Sequence, residues 1–155
     1  MKKYTYIHTP IGLLEIAEYE SKLVAVEFVK YYRHPEDGSL VLQEAKWQLG
    51  DYFSGKRKDF NLPLRFDCDE THKEIYTAVM NLPYGSTVTY EDLAKLINKP
   101  SASKTVENAI QSNPFPVIIP CHRVTNSDGS AGEFKGNKDS KAKEWLIDHE
   151  KGILK

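Results

Sequence analysis

Val117-Ile118-Ile119-Pro120-Cys121-His122-Arg123-Val124 sets a thiol, an imidazole and a guanidinium side by side at the end of a short apolar run. The Val-Ile-Ile run is β-branched and suits a buried extended segment. The proline fixes φ and removes one backbone donor. A reactive group at the end of such a segment is held by the core, as a nucleophile requires. The same pattern fits a buried structural thiol, since free cysteines pack as small hydrophobes, and more weakly a metal ligand. Neighbours in a strand point to opposite faces, so direct contact between Cys121 and His122 requires a turn or a bridging water.

Upstream lie three helical patterns. The first starts with Thr71 as cap and Glu74 as its capping-box partner, and its apolar stripe is Ile75, Tyr76, Val79 and Met80. Thr87 or Thr89 opens the second, through Leu93, Ala94 and Ile97. After the break Asn98-Lys99-Pro100, Ser101 or Ser103 opens the third, whose apolar face is Val106, Ala109 and Ile110 and which stops at Asn113-Pro114. Two short helices across a four-residue break are the pattern of a helix-turn-helix, although any two packed helices can show it. Downstream, residues 125–130 read as a hairpin turn, giving a two-strand wing, and residues 130–138 as a small-residue loop. A last helix from about Ser140 to Glu150 has Ala142, Trp145, Leu146 and His149 as its apolar positions.

The first half differs. Residues 4–8, 13–19 and 23–29 read as a β-meander in which Leu14 and Ile16 alternate with Glu15 and Ala17. Residues 31–38 form a polar loop. Ser39 caps a helix to about Phe53, with Leu42, Ala45, Leu49 and Phe53 on one face and Gly55 as its stop. Residues 60–64 make a short edge strand around Pro63, and residues 65–70 a linker.

The chain has 155 residues, 40% of them hydrophobic and 28% charged, enough for one domain or two small ones. No apolar run is long enough to span a bilayer, and no apolar signal core follows Met1-Lys2-Lys3, which predicts a cytoplasmic protein without a membrane partner. Cys68 and Cys121 make no disulfide framework and no zinc motif. The net charge of -1 argues against tight non-specific DNA binding, so a nucleic-acid footprint has to be a local patch.

The run from Asn113-Pro114-Phe115-Pro116 through Pro120-Cys121-His122-Arg123-Val124 resembles the signature of the O6-alkylguanine-DNA alkyltransferases, the methylated-DNA–protein-cysteine methyltransferases. Leu82-Pro83-Tyr84-Gly85-Ser86-Thr87-Val88-Thr89-Tyr90 is similar to the family's helix, Pro-x-Gly and Thr/Ser-Tyr pattern. Lys143-Glu144-Trp145-Leu146-Ile147-Asp148-His149-Glu150 is similar to its closing Lys-x-x-Leu-Leu-x-x-Glu. Looser landmarks are Thr9-Pro10-Ile11-Gly12, and Tyr52-Phe53-Ser54-Gly55 with residues 60–64. The likeness spans essentially the whole chain.

The resemblance implies an α+β fold: a small N-terminal α/β, ribonuclease-H-like domain over residues 1–68, then a winged helix-turn-helix alkyltransferase domain over residues 69–155. It implies a monomer that needs no cofactor or metal. The implied activity is irreversible, single-turnover transfer of a methyl or larger alkyl group from O6-alkylguanine in double-stranded DNA to Cys121, with O4-alkylthymine a further candidate substrate. His122 is then the residue that deprotonates Cys121 through a water, and Glu150 the carboxylate that orients His122. Asn113 hydrogen-bonds at the reacting end of the site, besides its reading as a helix C-cap. Tyr90 faces the flipped base and donates to its ring nitrogen. Val117 to Pro120 form one pocket wall. Ser130, Ala131, Phe134 and Lys135 belong to the other, with backbone N–H groups toward guanine O6. Arg123 is structural and ties the two halves together.

Several departures from the family pattern stand out. Lys104 replaces the arginine that fills the gap left by the extruded base, keeping charge but losing the planar fork. Glu107 and Asn108 stand where small residues are usual. Phe134 lacks the pocket-loop hydroxyl, Gly136-Asn137 replaces Gly-Gly, and Tyr76 replaces a helix tryptophan as a packing change only. Lys104, Glu107 and the near-neutral charge predict weaker DNA binding without loss of chemistry, and the pocket-loop changes bear on which alkyl groups are accepted. Two rival readings remain: a lesion-binding protein that does not transfer, against which Cys121 weighs, and a Cys-His-Glu hydrolase, against which the helix-turn-helix weighs.

Overall fold

The computed structural model describes residues 1–132 and 141–152, and these divide into two compact units, Met1–Asp67 and Cys68–Lys155. In the first, β1 (Lys3–Thr9), β2 (Gly12–Tyr19) and β3 (Lys22–Val29) form an antiparallel sheet in chain order, followed by helix α1 (Leu40–Phe53). The β2–β3 loop has two residues, Glu20 and Ser21, both at positive φ, as a tight hairpin of matching twist requires. Cross-strand partners place Ile7, Leu14, Ile16, Val26 and Phe28 on one face. Helix α1 packs on this sheet with Leu42, Ala45, Leu49 and Tyr52 buried.

The other sheet face departs from the alternation. Glu15 is buried, not solvated. It accepts the Tyr6 hydroxyl at 2.8 Å and Arg33 Nη2 at 2.6 Å, and Arg33 also reaches Glu27. Arg33 beside it holds the Glu15 carboxyl below its ordinary pKa. The polar stretch after β3 therefore covers this face, with Tyr32 stacked on Tyr6 at 4.2 Å. Residues 60–64 form no strand; Leu23 and Leu64 make a single parallel bridge there, in which Leu23 N donates to Pro63 O at 2.8 Å and Arg65 N to Leu23 O at 2.9 Å.

In the second unit, helices α2 (Glu70–Met80), α3 (Tyr90–Leu96) and α4 (Ser103–Gln111) pack together, and α5 (Lys141–Glu150) closes the described chain. Asp69, not Thr71, caps α2, accepting His72 N at 2.8 Å. An anionic oxygen is the better acceptor at this positive helix end, and Glu74 instead pairs with Lys99 at 2.9 Å. Met80 is more exposed than its stripe implied. Thr89 caps α3 in a full capping box with Asp92. Asn98, at φ 61, makes the break before α4. Tyr76 does more than pack, because its buried hydroxyl bonds the Ala109 carbonyl at 2.9 Å and ties α2 to α4. The expected turn over residues 125–130 is present, with Gly129 N bonded to Asn126 O and Asn126 N to Ser130 O, both at 3.0 Å, while β4 (Val88–Thr89) pairs in parallel with β5 (Val124–Thr125). Among the described residues no helix is long and apolar enough to cross a membrane.

Candidate active site

Val117 to Pro120 is buried but not extended. Val117 sits at φ 74, an outlier for a β-branched residue that costs about 1–3 kcal/mol. Ile119 N donates to Phe115 O at 2.9 Å and closes the turn. Asn113 clamps it from both sides: its Nδ2 donates to Ile119 O at 3.0 Å, and its Oδ1 accepts Phe115 N at 2.8 Å. Ser112, not Asn113, is the C-cap of α4. Pro120 has φ -77 and ψ 64, an inverse γ-turn, and Cys121 N accordingly donates to Ile119 O at 2.7 Å. The chain then makes one short 3-10 turn over Cys121–Arg123. This is the turn that adjacent Cys and His need in order to serve one site.

Cys121 and His122 are both fully buried. His122 Nε2 meets Glu150 Oε2 at 2.5 Å. Arg123 donates from Nε to Glu150 Oε1 at 2.8 Å and from Nη2 to Oε2 at 3.1 Å, and its Nη1 donates to Leu82 O at 2.8 Å. Gly85 N adds a further donor to Glu150 at 3.2 Å. The carboxylate is thus satisfied, as a buried charge must be. The bonds of Arg123 to Leu82 and Glu150 join residues of the second unit. Burial pushes the His122 pKa down, against the pull of Glu150. The imidazole is therefore neutral, with Nε2–H directed at the carboxylate and Nδ1 as the basic nitrogen.

Tyr90, the first residue of α3, is buried, with Lys143 Nζ 5.7 Å from the centroid of its ring. Its hydroxyl lies 3.0 Å from where a Cβ on Gly132 would stand, and Gly132 is at φ 82, so a side chain there would be strained and crowded against Tyr90. Ala131 is buried, whereas Ser130 is exposed, its hydroxyl bonded to Asp128 at 2.7 Å. Phe134 and Lys135 lie outside the described residues, as do Gly136 and Asn137. Lys104 is exposed on α4 and pairs with Glu107 at 2.9 Å. Cys68 is exposed and not in a disulfide.

Sequence reasoning missed one buried residue. Helix α5 turns Lys143, Leu146 and Glu150 inward, while Trp145 and His149 stack on each other at 4.8 Å in half-buried positions. The spacing of three and four from Glu150 back to Lys143 was the available signal.

Residues 70–152 match the 6-O-methylguanine DNA methyltransferase DNA-binding domain, and residues 2–66 the ribonuclease-like domain of the same family. A methylated-DNA–protein-cysteine methyltransferase of Methanosarcina barkeri is 35% identical over 98% of this chain and 99% of the relative. The constitutive one of Bacillus subtilis is 33% identical over 97% and 96%. The crystal structure of Mycobacterium tuberculosis O6-methylguanine methyltransferase has a TM-score of 0.85 at 29% identity, covering 100% of this chain and 96% of the other. A structure of the M. tuberculosis protein in complex with DNA has a TM-score of 0.86 at 28% identity, covering 98% and 94%.

Proposed function

The chain belongs to the 6-O-methylguanine DNA methyltransferase family, and on that premise we propose that it repairs DNA by moving the alkyl group of O6-alkylguanine to Cys121 Sγ, once per molecule. The observation that carries this reading is the His122–Glu150 bond behind Cys121, in a chain that matches both family domains. A thiol near pKa 8.5 is mostly protonated at neutral pH. Neutral His122, oriented by Glu150, draws the proton from Sγ by way of a water. The sulfur lone pair then attacks the carbon on O6. The S–C bond forms as the C–O bond breaks, and guanine leaves as an oxyanion that takes up a proton. Tyr90, a buried donor next to Gly132, stabilises that charge as it appears.

Chemistry on a base requires taking it out of the stack, and helix α4 is the element we place against the duplex. Sγ is fully covered, so a base reaches it only when side chains around it give way. The product is a thioether, which no group of the site among the described residues is placed to cleave. We further propose that the protein acts as a cytoplasmic monomer. A turnover assay with excess lesion DNA tests the class. An alkyltransferase stops at one equivalent of product. Continued turnover would make this a hydrolase, and lesion binding without product a sensor.

A further inference from the structure

Helix α5 carries two charged side chains into the core, and they are treated differently. Glu150 is fully engaged by His122, Arg123 and Gly85. Lys143 is fully buried, and its Nζ has no hydrogen-bond partner among the described residues. The nitrogen lies 5.7 Å from the centroid of the Tyr90 ring, which holds a cation by its quadrupole but offers no acceptor. A buried ammonium left without an acceptor is costly, and an apolar side chain at this position would remove the cost. Such a group makes sense where an anion appears beside it during function.

We propose that Lys143 is the counter-ion of the Cys121 thiolate: an ammonium held against Tyr90 so that the thiol can lose its proton inside the core. This rests on Cys121 being the nucleophile. The groups tied to Lys143 are the Tyr90 ring on α3, at 5.7 Å, and Cys121 and His122 on the 3-10 turn, with which its charge interacts. Glu150 is committed to His122 and Arg123, so the anion left to face Lys143 is the sulfur. Burial lowers the Lys143 pKa from 10.5 to about 8, and the charge of Cys121 raises it, the coupling a counter-ion requires. Lys143 also pushes the His122 pKa down. The reactive form is thiolate–ammonium. After transfer the sulfur is a neutral thioether, and Lys143 loses its anion.

The test is a DNA-free titration of the thiolate by its ultraviolet absorbance, in a Cys68→Ser background so that Cys121 is the thiol observed. Lys143→Met raises the midpoint by about one pH unit or more, and Lys143→Arg keeps it close to that of the parent. An unchanged midpoint in a folded Lys143→Met protein overturns the proposal. Should that variant not fold, carbon-detected NMR of Lys143 in the parent chain decides, before and after S-methylation of Cys121 with methyl iodide. The Lys143 pKa falls on methylation; a value that stays put overturns the proposal. Because no DNA is used, failure here is separable from failure of the transfer reading.

Discussion

His122 and Glu150 meet at 2.5 Å across 28 positions of sequence, and the same carboxylate takes two donors from Arg123. One side chain therefore holds both the imidazole and the guanidinium of the turn that carries Cys121, and in the proposed mechanism it orients the base. Glu150→Gln keeps the shape but removes the charge that holds both. It is expected to slow alkyl transfer by about 10²- to 10⁴-fold and to lower stability by about 3 kcal/mol through the uncompensated Arg123. Single-turnover rates on lesion DNA, with urea unfolding of the same variant, check both. A rate within a factor of about two would remove Glu150 from the relay.

In the proposed mechanism Asn113 serves to position Cys121. Its two buried bonds hold Val117 at positive φ and so set where Pro120 delivers Cys121. Asn113→Ala leaves Ile119 O and Phe115 N without their side-chain partner. The expected cost is about 1–3 kcal/mol, together with a slower transfer at saturating DNA. Chemical denaturation and the single-turnover plateau rate measure the two. Lost stability with an unchanged rate would confine Asn113 to folding.

Stability should respond to pH through two buried bases. Both Lys143 and His122 have folded pKa values below their unfolded ones. Between the two values the unfolded chain holds the extra proton, so stability rises with pH. For Lys143 the window runs from about 8 to 10.5, with the penalty fully present below it. For His122 stability falls as pH drops below 6.5. In a Cys121→Ser background, where no thiolate enters, Lys143→Met should be more stable at pH 7, by on the order of 3 kcal/mol. The gain should vanish as pH approaches 10.5. Unfolding curves across this range give the answer, and a gain independent of pH would show that Lys143 is not charged in the fold.

On α4, Glu107 partly neutralises Lys104 and sets a negative charge on the face placed against DNA. Glu107→Gln should tighten binding several-fold and steepen the salt dependence by about one unit of slope. Fluorescence titration at several salt concentrations reads both. Equal affinity and slope would move the DNA contact elsewhere.

Much of the fold was legible because it rests on local pattern. The meander, α1, the two short helices and their break follow from period, caps and turn residues. Cys121, His122 and Glu150 were marked by motif, and the structure brings His122 and Glu150 together. What escaped depends on partners far away in sequence. Val117 looks like a strand residue, but Asn113 bends it into a turn. Glu15 looks outward-facing until Arg33 and Tyr6 meet it. Asp69 and Thr71 are both good caps, and only the geometry chooses. Trp145 looks like the core residue of α5, yet the buried face carries Lys143 and Glu150, because the site and not the hydrophobic pattern sets that side.

The central claim is that Cys121 takes the alkyl group, once. Intact-protein mass after incubation with excess DNA carrying O6-methylguanine tests it directly, beside a Cys121→Ser control. The account predicts a gain of one methylene mass in the parent chain, never more than one per molecule, and none in the control. No gain in the parent, or an equal gain in the control, would contradict it.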